Sequence, residues 1–231
     1  MKIGGFQKLT LLDYPEKMAC IVFTEGCNLR CPYCHNAPLV TGCGQDEVDE
    51  AEVTALLDKR WGILDGVVIT GGEPLLQPGL EEFIDRIKAK GYSVKLDTNG
   101  TFPERLRALV ESGRADYVAM DIKNCPDRYA VTAGVKNINI GDVKKSAEIL
   151  MNGKTPYEFR TTVVKPFFDK ACFEKIGIWL AGADKYYLQP FMDSGNLVGG
   201  AEVSAYDSEE TAEFLDTVKK YIPSAEIRGG N

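Results

Sequence analysis

The sequence predicts an α/β fold built on a parallel sheet, and three observations support this prediction. Short β-rich segments alternate with longer segments of helical periodicity along the 231 residues. Several β-rich segments are apolar at nearly every position, as strands that are buried on both faces must be. Short loops join the two kinds of segment, which favours parallel strands linked by right-handed crossovers.

Six β-rich segments and six helical segments follow one another in the sequence. Because a closed (β/α)₈ barrel needs eight such units, the sequence predicts either a partial TIM-like barrel or an open doubly wound sheet. No linker divides the chain, so a single domain over residues 1–231 is expected, and 226–228 is a candidate for a short final strand. The predicted strands are 18–23, 66–70, 93–97, 117–122, 157–164 and 185–189, and the predicted helices are 47–60, 79–90, 103–112, 142–152, 171–181 and 208–221.

The composition is that of an ordinary soluble globular protein, with 44% hydrophobic and 26% charged residues. A net charge of −7 argues against a surface that binds nucleic acid. No apolar run approaches the roughly 20 residues that span a bilayer, and the first residues lack the apolar core of a signal peptide. We therefore expect a cytoplasmic protein that binds neither a membrane nor a nucleic acid.

Polar and glycine-bearing motifs accompany the end of every predicted strand. TEGC follows the first strand, TGGEP the second and DTNG the third, while DIKN closes the fourth and VVKP and QPF follow the last two. Gly, Asp and Asn are common where strands end, so one or two such motifs would carry little information. Six on the same rim favour one shared site, because the carboxyl ends of parallel strands form the ligand-binding mouth of α/β folds.

The segment TEGCNLRCPYCHNAP contains three of the seven cysteines and the one histidine of the chain. Cys31 and Cys34 could form a dithiol redox motif, but that interpretation leaves Cys27 unexplained. Cys31, Cys34 and His35 also match a c-type haem attachment sequence. That attachment normally occurs outside the cytoplasm and usually needs a second axial ligand, for which the chain has no other histidine.

Two metal-site interpretations use all three cysteines. Cys27, Cys31, Cys34 and His35 supply four ligand types that zinc accepts, although adjacent residues 34 and 35 point in different directions. Three thiolates without a fourth suit a [4Fe–4S] cluster in which one iron keeps coordination sites open, and the spacing C-x₃-C-x₂-C favours this interpretation. Cys20 is expected to be a buried core residue, and no role is assigned to Cys43, Cys125 and Cys172.

The cysteine motif, with Tyr33 before the third cysteine, resembles the radical S-adenosylmethionine (SAM) superfamily, and GGEP at 71–74 strengthens the resemblance. The segments CHN, DTNG and DIK are similar to the glycyl-radical-enzyme activases within it. The opening segment 4–36 looks most like the activating proteins of anaerobic ribonucleoside-triphosphate reductases, which are related to pyruvate formate-lyase activating enzymes. The resemblance extends over most of the chain.

This resemblance implies a partial (β/α)₆ barrel with its site at the C-terminal mouth. It implies one [4Fe–4S] cluster, bound SAM and a reductive cleavage of SAM that gives methionine and a 5′-deoxyadenosyl radical. The partner would be a glycyl radical enzyme, expected to be an anaerobic ribonucleotide reductase, and a flavodoxin or ferredoxin would supply the electron. The alternatives are activation of a pyruvate formate-lyase-like enzyme, or radical SAM chemistry on a small molecule or a peptide.

Site residues follow from the same resemblance. Gly71 and Gly72 would let backbone carbonyls approach the SAM ammonium group, and Met192 stands where pyruvate formate-lyase activases have a histidine that contacts the cofactor. Alternatively, Lys123 and Arg160 could be surface charges paired with acidic residues. The implied cluster ligands are Cys27, Cys31 and Cys34, and the implied SAM contacts are Tyr33, Cys34, His35, Gly71, Gly72, Glu73, Asp121, Lys123 and Arg160. A monovalent cation would be held by the carboxylates of Asp97 and Asp121 and the main-chain carbonyls of Thr98 and Ala119.

Overall fold

The computed structural model describes residues 1–42, 48–193, 195–199 and 202–229, so Cys43 lies outside the described residues. Its strands are β1 Ile3–Thr10, β2 Ala19–Thr24, β3 Gly66–Gly71, β4 Ser93–Thr98, β5 Tyr117–Asp121, β6 Tyr157–Lys165, β7 Tyr186–Pro190, β8 Ser204–Ala205 and β9 Glu226–Ile227. Its α-helices are α1 Ala37–Thr41, α2 Glu50–Lys59, α3 Leu80–Ala89, α4 Pro103–Glu111, α5 Tyr129–Thr132, α6 Ile140–Met151, α7 Lys170–Trp179 and α8 Ser208–Lys219.

The strands β2 to β7 lie side by side in chain order, and every neighbouring pair is parallel. This order has no reversal point, whereas a doubly wound sheet reverses its strand order near the middle. β1 pairs antiparallel with β2 on one side, and β9 pairs parallel with β7 on the other. The sheet is therefore an open partial barrel, which confirms the predicted fold class. Because segments from both ends of the chain join this sheet, we keep one domain over 1–231 as our proposal.

Each predicted strand and helix is present, with bounds that shift by a few residues at most. Of the α-helices in the described residues, α2, α6, α7 and α8 begin at an acidic or amide side chain that caps the first turn, as Asp169 does by accepting a hydrogen bond from the Cys172 amide at 2.8 Å. At α8, Asp207 and Glu210 form a reciprocal capping box. The correctly predicted helices α3 and α4 begin without a side-chain cap, so the apolar periodicity of the sequence explains why the helix predictions hold.

β1 was not predicted, because IGGFQKLT has two glycines and no regular alternation of apolar residues. Backbone pairing with β2 forms this strand, and Gly5, Phe6 and Gln7 lie opposite Phe23, Val22 and Ile21. The short helices α1 and α5 were also missed, since five and four residues are too few to show a helical period.

The barrel has an apolar layer between the strands and the helices and a separate, mixed interior. Tyr14, Ile21, Val68 and Tyr117 form a small apolar cluster on the inner face of the sheet. Beside it the fully buried Glu158 accepts a hydrogen bond from the Tyr117 hydroxyl at 2.9 Å and pairs with Arg228 at 2.7 Å. The barrel interior therefore carries charged side chains. In the described part of the chain, no helix is long and apolar enough to cross a membrane.

Candidate active site

A cavity of about 430 Å³ opens at the carboxyl ends of the parallel strands. Its size is within the range of small-molecule sites. Ala119 is fully buried in β5 and is not part of the lining. The other predicted site residues all line this cavity, namely Cys27, Cys31, Tyr33, Cys34, His35, Gly71, Gly72, Glu73, Asp97, Thr98, Asp121, Lys123 and Arg160.

The loop after β2 brings the three cysteines to this cavity. The Cys34 amide donates to the Cys31 carbonyl at 3.0 Å, which closes a turn between two of the thiols. The Leu29 amide donates to the Cys27 sulfur at 3.4 Å. The Arg30 guanidinium donates to the carbonyl oxygens of Cys27 and Leu29, at 2.5 and 2.8 Å. The loop is thus held in shape by its own residues.

Two of the three thiols, those of Cys27 and Cys31, are in surroundings that disfavour their ionised form. Burial raises the pKa of Cys31 to about 12, although the nearby Lys123 ammonium acts in the opposite direction. Burial also raises the pKa of Cys27. Loading with metal would therefore displace protons from these sulfurs.

The three thiols suit an iron–sulfur cluster. Soft thiolate ligands select such clusters, and a cubane presents separate iron corners, so its ligands stand apart around one cavity. Among the residues that the structure describes, no three His, Cys, Asp or Glu side chains converge on a position that could hold a single metal ion. Cys125 and Cys172 contact each other, both buried, and neither lines the cavity.

Glu73 joins the loops after β3 and β4. Its fully buried carboxylate accepts hydrogen bonds from the Leu75 amide at 3.0 Å, the Thr98 hydroxyl at 2.8 Å and the Asn99 amide at 2.8 Å. Burial raises the pKa of Glu73 to about 7, and these three donors limit the rise. Glu73, which the sequence predicted only as a cofactor contact, therefore also holds together the loops that follow β3 and β4.

Asn99 extends this connection to the cysteine loop. Its side-chain amide donates to Asn28 Oδ1 at 2.9 Å and lies 3.9 Å from the Cys27 sulfur. Asn28 in turn donates to the Thr101 hydroxyl at 2.9 Å. The sequence placed Asn99 in a turn after the third predicted strand, and only the fold shows that it contacts the loop after the first.

The two glycines of TGGEP are required by the approach of two backbones. A Cβ on Gly72 would lie 2.0 Å from the Gly26 carbonyl oxygen, and one on Gly71 would lie 2.3 Å from the Thr24 nitrogen. The Glu73 amide also donates to the Gly26 carbonyl at 2.8 Å. Close approach to the end of β2 is thus sufficient to explain Gly71, and close approach to the cysteine loop is sufficient to explain Gly72, whereas the sequence suggested that both make room for the cofactor.

The floor of the cavity carries a chain of alternating charges. Arg160, in β6, donates through Nε to Asp121 Oδ1 at 2.9 Å and through a terminal nitrogen to Asp97 Oδ2 at 3.2 Å. Lys123 donates to Asp121 Oδ2 at 3.1 Å, and Lys95 donates to Asp97 Oδ1 at 2.5 Å. Burial disfavours ionised Asp121, but the charges of Arg160 and Lys123 outweigh that effect and lower its pKa to about 2.

Lys123 and Arg160 are therefore paired with acidic residues, as the alternative interpretation predicted, but they line the cavity and are not on the outer surface. Burial disfavours the Lys123 and Arg160 cations, yet Asp121 raises the pKa of both above the ordinary values. The residues predicted to hold a monovalent cation do not fit a further cation here. Its two predicted carboxylate ligands, Asp97 and Asp121, already pair with protein cations.

Aromatic side chains form one wall of the cavity. His35 stacks on Phe191, with ring centres 5.6 Å apart and planes at 22°. Tyr33 is almost fully buried against Phe167. Met192, at the position of the family histidine, is 69% exposed and is not part of the lining. The lining also includes Asp13 and Thr162, to which no strand-end motif pointed, and Asn36, Thr70 and Gln189, which stand in the motifs CHN, TGGEP and QPF but had no assigned role.

The family of the chain follows from comparison with known proteins. The sequence model of the radical SAM superfamily matches residues 21–176. The crystal structure of a radical SAM methyltransferase from Sphaerobacter thermophilus superposes with a TM-score of 0.74 at 16% identity. That match covers 95% of this chain and 68% of the methyltransferase, and it concerns the fold alone.

Three proteins that are similar in sequence have names that describe different functions. A Methanocaldococcus jannaschii protein provisionally named a glycyl-radical enzyme activating enzyme is 32% identical over 98% of this chain and 95% of its own length. The 7-carboxy-7-deazaguanine synthase of Methanopyrus kandleri is 34% identical over 90% of this chain and 84% of its own length. The pyruvate formate-lyase-activating enzyme of Staphylococcus epidermidis is 31% identical over 76% of this chain and 75% of its own length. With the family match over 21–176, these similarities show that the chain belongs to the radical SAM superfamily.

Proposed function

We propose that this radical SAM protein is an activating enzyme that installs a glycyl radical on a partner protein. The observation that carries the proposal is the 32% identity to the Methanocaldococcus jannaschii relative over nearly the full length of both chains. The radical SAM superfamily implies a [4Fe–4S] cluster and SAM. Once bound and given one electron by an external donor, the two would supply a carbon-centred radical that takes the Cα hydrogen atom of a glycine.

In this proposal Cys27, Cys31 and Cys34 hold the cluster, and the chain supplies orientation and exclusion of water. The lining residues predicted as SAM contacts would bind that cofactor. The three cations Lys95, Lys123 and Arg160 carry one more charge than the two carboxylates with which they pair, and this surplus suits a carboxylate ligand. His35 lines the cavity with its ring stacked on Phe191, and it offers a flat ring face of the kind on which an adenine stacks.

Anaerobic reconstitution with iron and sulfide tests the first step. We expect a brown protein with about four irons per chain that cleaves SAM under a strong reductant. The second step needs candidate glycyl radical enzymes, incubated with the reduced protein and SAM and followed by electron paramagnetic resonance. A glycyl doublet, together with transfer of deuterium from Cα-deuterated glycine into 5′-deoxyadenosine, would support activation.

The nature of the partner is a finer proposal. Segment 4–36 most resembles activators of anaerobic ribonucleotide reductases, so such a reductase is the first candidate partner. Similarity to the pyruvate formate-lyase-activating enzyme supports a pyruvate formate-lyase-like partner as the second. Parallel incubations with one enzyme of each kind distinguish them by which one acquires the doublet. We also propose a flavodoxin or ferredoxin as electron donor, and the cytoplasm as location.

One observation favours a different class of reaction. The similarity to a 7-carboxy-7-deazaguanine synthase covers 90% of this chain and 84% of that enzyme. A small-molecule substrate is therefore the second candidate. Protein that cleaves SAM, never yields a doublet with any glycyl radical enzyme, and takes hydrogen from an added small heterocycle would support this candidate over the activase.

A further inference from the structure

A buried lysine lies beneath the acidic side chains of the cavity. Lys95 is in the middle of β4 and is 1% exposed. It faces the barrel interior, because its neighbours on β3 and β5 are Val68 and Tyr117 of the inner apolar cluster. A buried ammonium group is costly unless it is paired. Its ion pair with Asp97, at 2.5 Å, supplies the partner.

Protein cations contact all four oxygens of the two carboxylates on the cavity floor. Lys95 and Arg160 contact one oxygen each of Asp97, and Arg160 and Lys123 contact one oxygen each of Asp121. Three cations thus face two carboxylates. A metal cation would have to share these oxygens with the three side chains, and it would be repelled by the positive surplus among the groups in direct contact.

We propose that the Lys95 ammonium takes the place of the monovalent cation that the family resemblance predicts, so that this site works without K⁺ or Na⁺. An ammonium group is a compact point charge with three donors, and it can neutralise a carboxylate as a bound alkali ion does. Because the group is covalently attached and buried, its occupancy does not depend on the salt in the medium. Lys95 is in this sense a positioning residue that fixes Asp97 and, through Asp97, the guanidinium of Arg160.

The first experiment uses the apoprotein and needs no cofactor. Thermal unfolding is followed in choline chloride, NaCl and KCl at equal ionic strength. The wild-type protein should unfold at the same temperature in all three salts. Lys95→Met should unfold at least about 4 °C lower in choline chloride, and KCl or NaCl should restore part of that loss in a saturable way, because the metal ion can now enter. Lys95→Gln is a second neutral variant, for use if Lys95→Met does not fold.

Lys88→Met is the matched control. Lys88 also pairs with a carboxylate, Asp116 at 2.6 Å, but it is about a third exposed and lies outside the cavity. Its loss should lower the unfolding temperature equally in the three salts. Stabilisation of the wild type by K⁺ or Na⁺ over choline would overturn the proposal, and so would a Lys95→Met protein that no alkali ion stabilises.

The second experiment rests on the proposed SAM site. Equilibrium dialysis of SAM against the reconstituted wild type should give dissociation constants that agree within about twofold in the three salts. For Lys95→Met we expect binding weaker by about tenfold in choline, with recovery in K⁺. A wild-type affinity that requires K⁺ would overturn the proposal. Failure of every protein to bind SAM in any salt would instead contradict the proposed cofactor site, and the unfolding experiment would still decide the role of Lys95.

Discussion

The Thr98 hydroxyl donates a hydrogen bond of 2.8 Å to the Glu73 carboxylate. This contact joins the loop after β3 to the end of β4, and both groups are buried. Asn99, the next residue, donates its amide to the same carboxylate and its side chain to the cysteine loop. The contact between Thr98 and Glu73 is therefore part of the connection that fixes three rim loops relative to one another.

Thr98→Val should destabilise the apoprotein by about 1–3 kcal/mol, because it keeps the shape of the side chain but leaves a buried carboxylate with one donor fewer. The loss should be larger at pH 8 than at pH 5, since Glu73 is ionised in the folded protein only above its pKa of about 7. Urea unfolding at the two pH values measures both effects. Thr217→Val is the control, because that buried hydroxyl donates to a main-chain carbonyl and its loss should not depend on pH.

Glu73 should itself give the stability of the protein a pH dependence. Its pKa rises on folding from 4.5 to about 7, so the folded state holds the proton more tightly than the unfolded state. Below pH 4.5 both states are protonated and burial of this group carries no ionisation penalty. Between pH 4.5 and pH 7 the free-energy penalty for burying Glu73 grows as the pH rises, and above pH 7 this penalty is constant.

Glu73→Gln removes this titration. The unfolding free energy of the wild type minus that of the variant should decrease between pH 5 and pH 8, by on the order of 2–3 kcal/mol at most. The variant also turns a donor toward the Asn99 amide, which shifts the difference by a constant and does not change its slope. Parallel pH profiles for the two proteins would contradict an elevated Glu73 pKa.

Gly72→Ala should displace the cysteine loop. The new Cβ would lie 2.0 Å from the Gly26 carbonyl oxygen, and a backbone atom cannot turn aside as a flexible side chain can. Overpacking of this kind costs about 1–3 kcal/mol. We expect a lower unfolding temperature together with less than stoichiometric iron after reconstitution.

Gly5→Ala provides the comparison for Gly72→Ala. Gly5 is in β1 of the same sheet, and a Cβ there would meet Phe23 at an ordinary contact distance of 3.5 Å. This variant should reconstitute like the wild type. If Gly72→Ala also bound iron normally and lost only SAM affinity, the approach of the cofactor, and not of Gly26, would be the reason for glycine at this position.

The sequence predicted the rim but not the contacts across it. Alternation of strands and helices identified the parallel sheet, and a parallel sheet brings its carboxyl ends together whatever the loops contain. Contacts between loops depend on atomic distances that no local pattern encodes. The meeting of Gly72 with Gly26 is such a contact, whereas Lys95 and Asp97 are two residues apart in β4, where the alternation of a strand already places them on one face. Lys95 even counts against a buried strand by its residue type, and only the neighbouring carboxylate makes it acceptable.

Arg160→Met should destabilise the apoprotein by about 3–5 kcal/mol, because the guanidinium pairs with two carboxylates that remain close together without it. The change should also raise the pKa of Asp121, which the charges of Arg160 and Lys123 now hold near 2. Urea unfolding of the variant should accordingly show a smaller loss of stability between pH 5 and pH 3 than the wild type does. The folded wild type keeps this carboxylate ionised there while the unfolded chain takes up a proton.

Arg107→Met is the control for Arg160→Met. Arg107 also pairs with two carboxylates, those of Glu104 and Glu111, but its side chain is 41% exposed on α4. Exposed pairs contribute about 0–1 kcal/mol, so this variant should be close to wild type at every pH. Equal losses for the two variants would mean that burial adds nothing to the charge chain at the cavity floor.

The cysteine assignment makes the sharpest prediction for the cofactor. Replacing Cys27, Cys31 or Cys34 by alanine removes one thiolate from the proposed ligand set. Each variant should lose the brown colour and the cleavage of SAM after reconstitution, with iron well below about four per chain. Iron content is the primary measurement, because it does not depend on the identity of the partner.

Cys125→Ala separates a ligand effect from the loss of a thiol. Cys125 is 1% exposed, so its replacement also creates a small cavity in the protein, but it lies outside the site lining. The variant should be less stable than the wild type and still bind a full complement of iron. If an alanine variant of one cysteine kept iron content and SAM cleavage at the wild-type level, that cysteine would not be a cluster ligand. If that cysteine were Cys27, the two remaining thiols, Cys31 and Cys34, would return the dithiol interpretation to consideration.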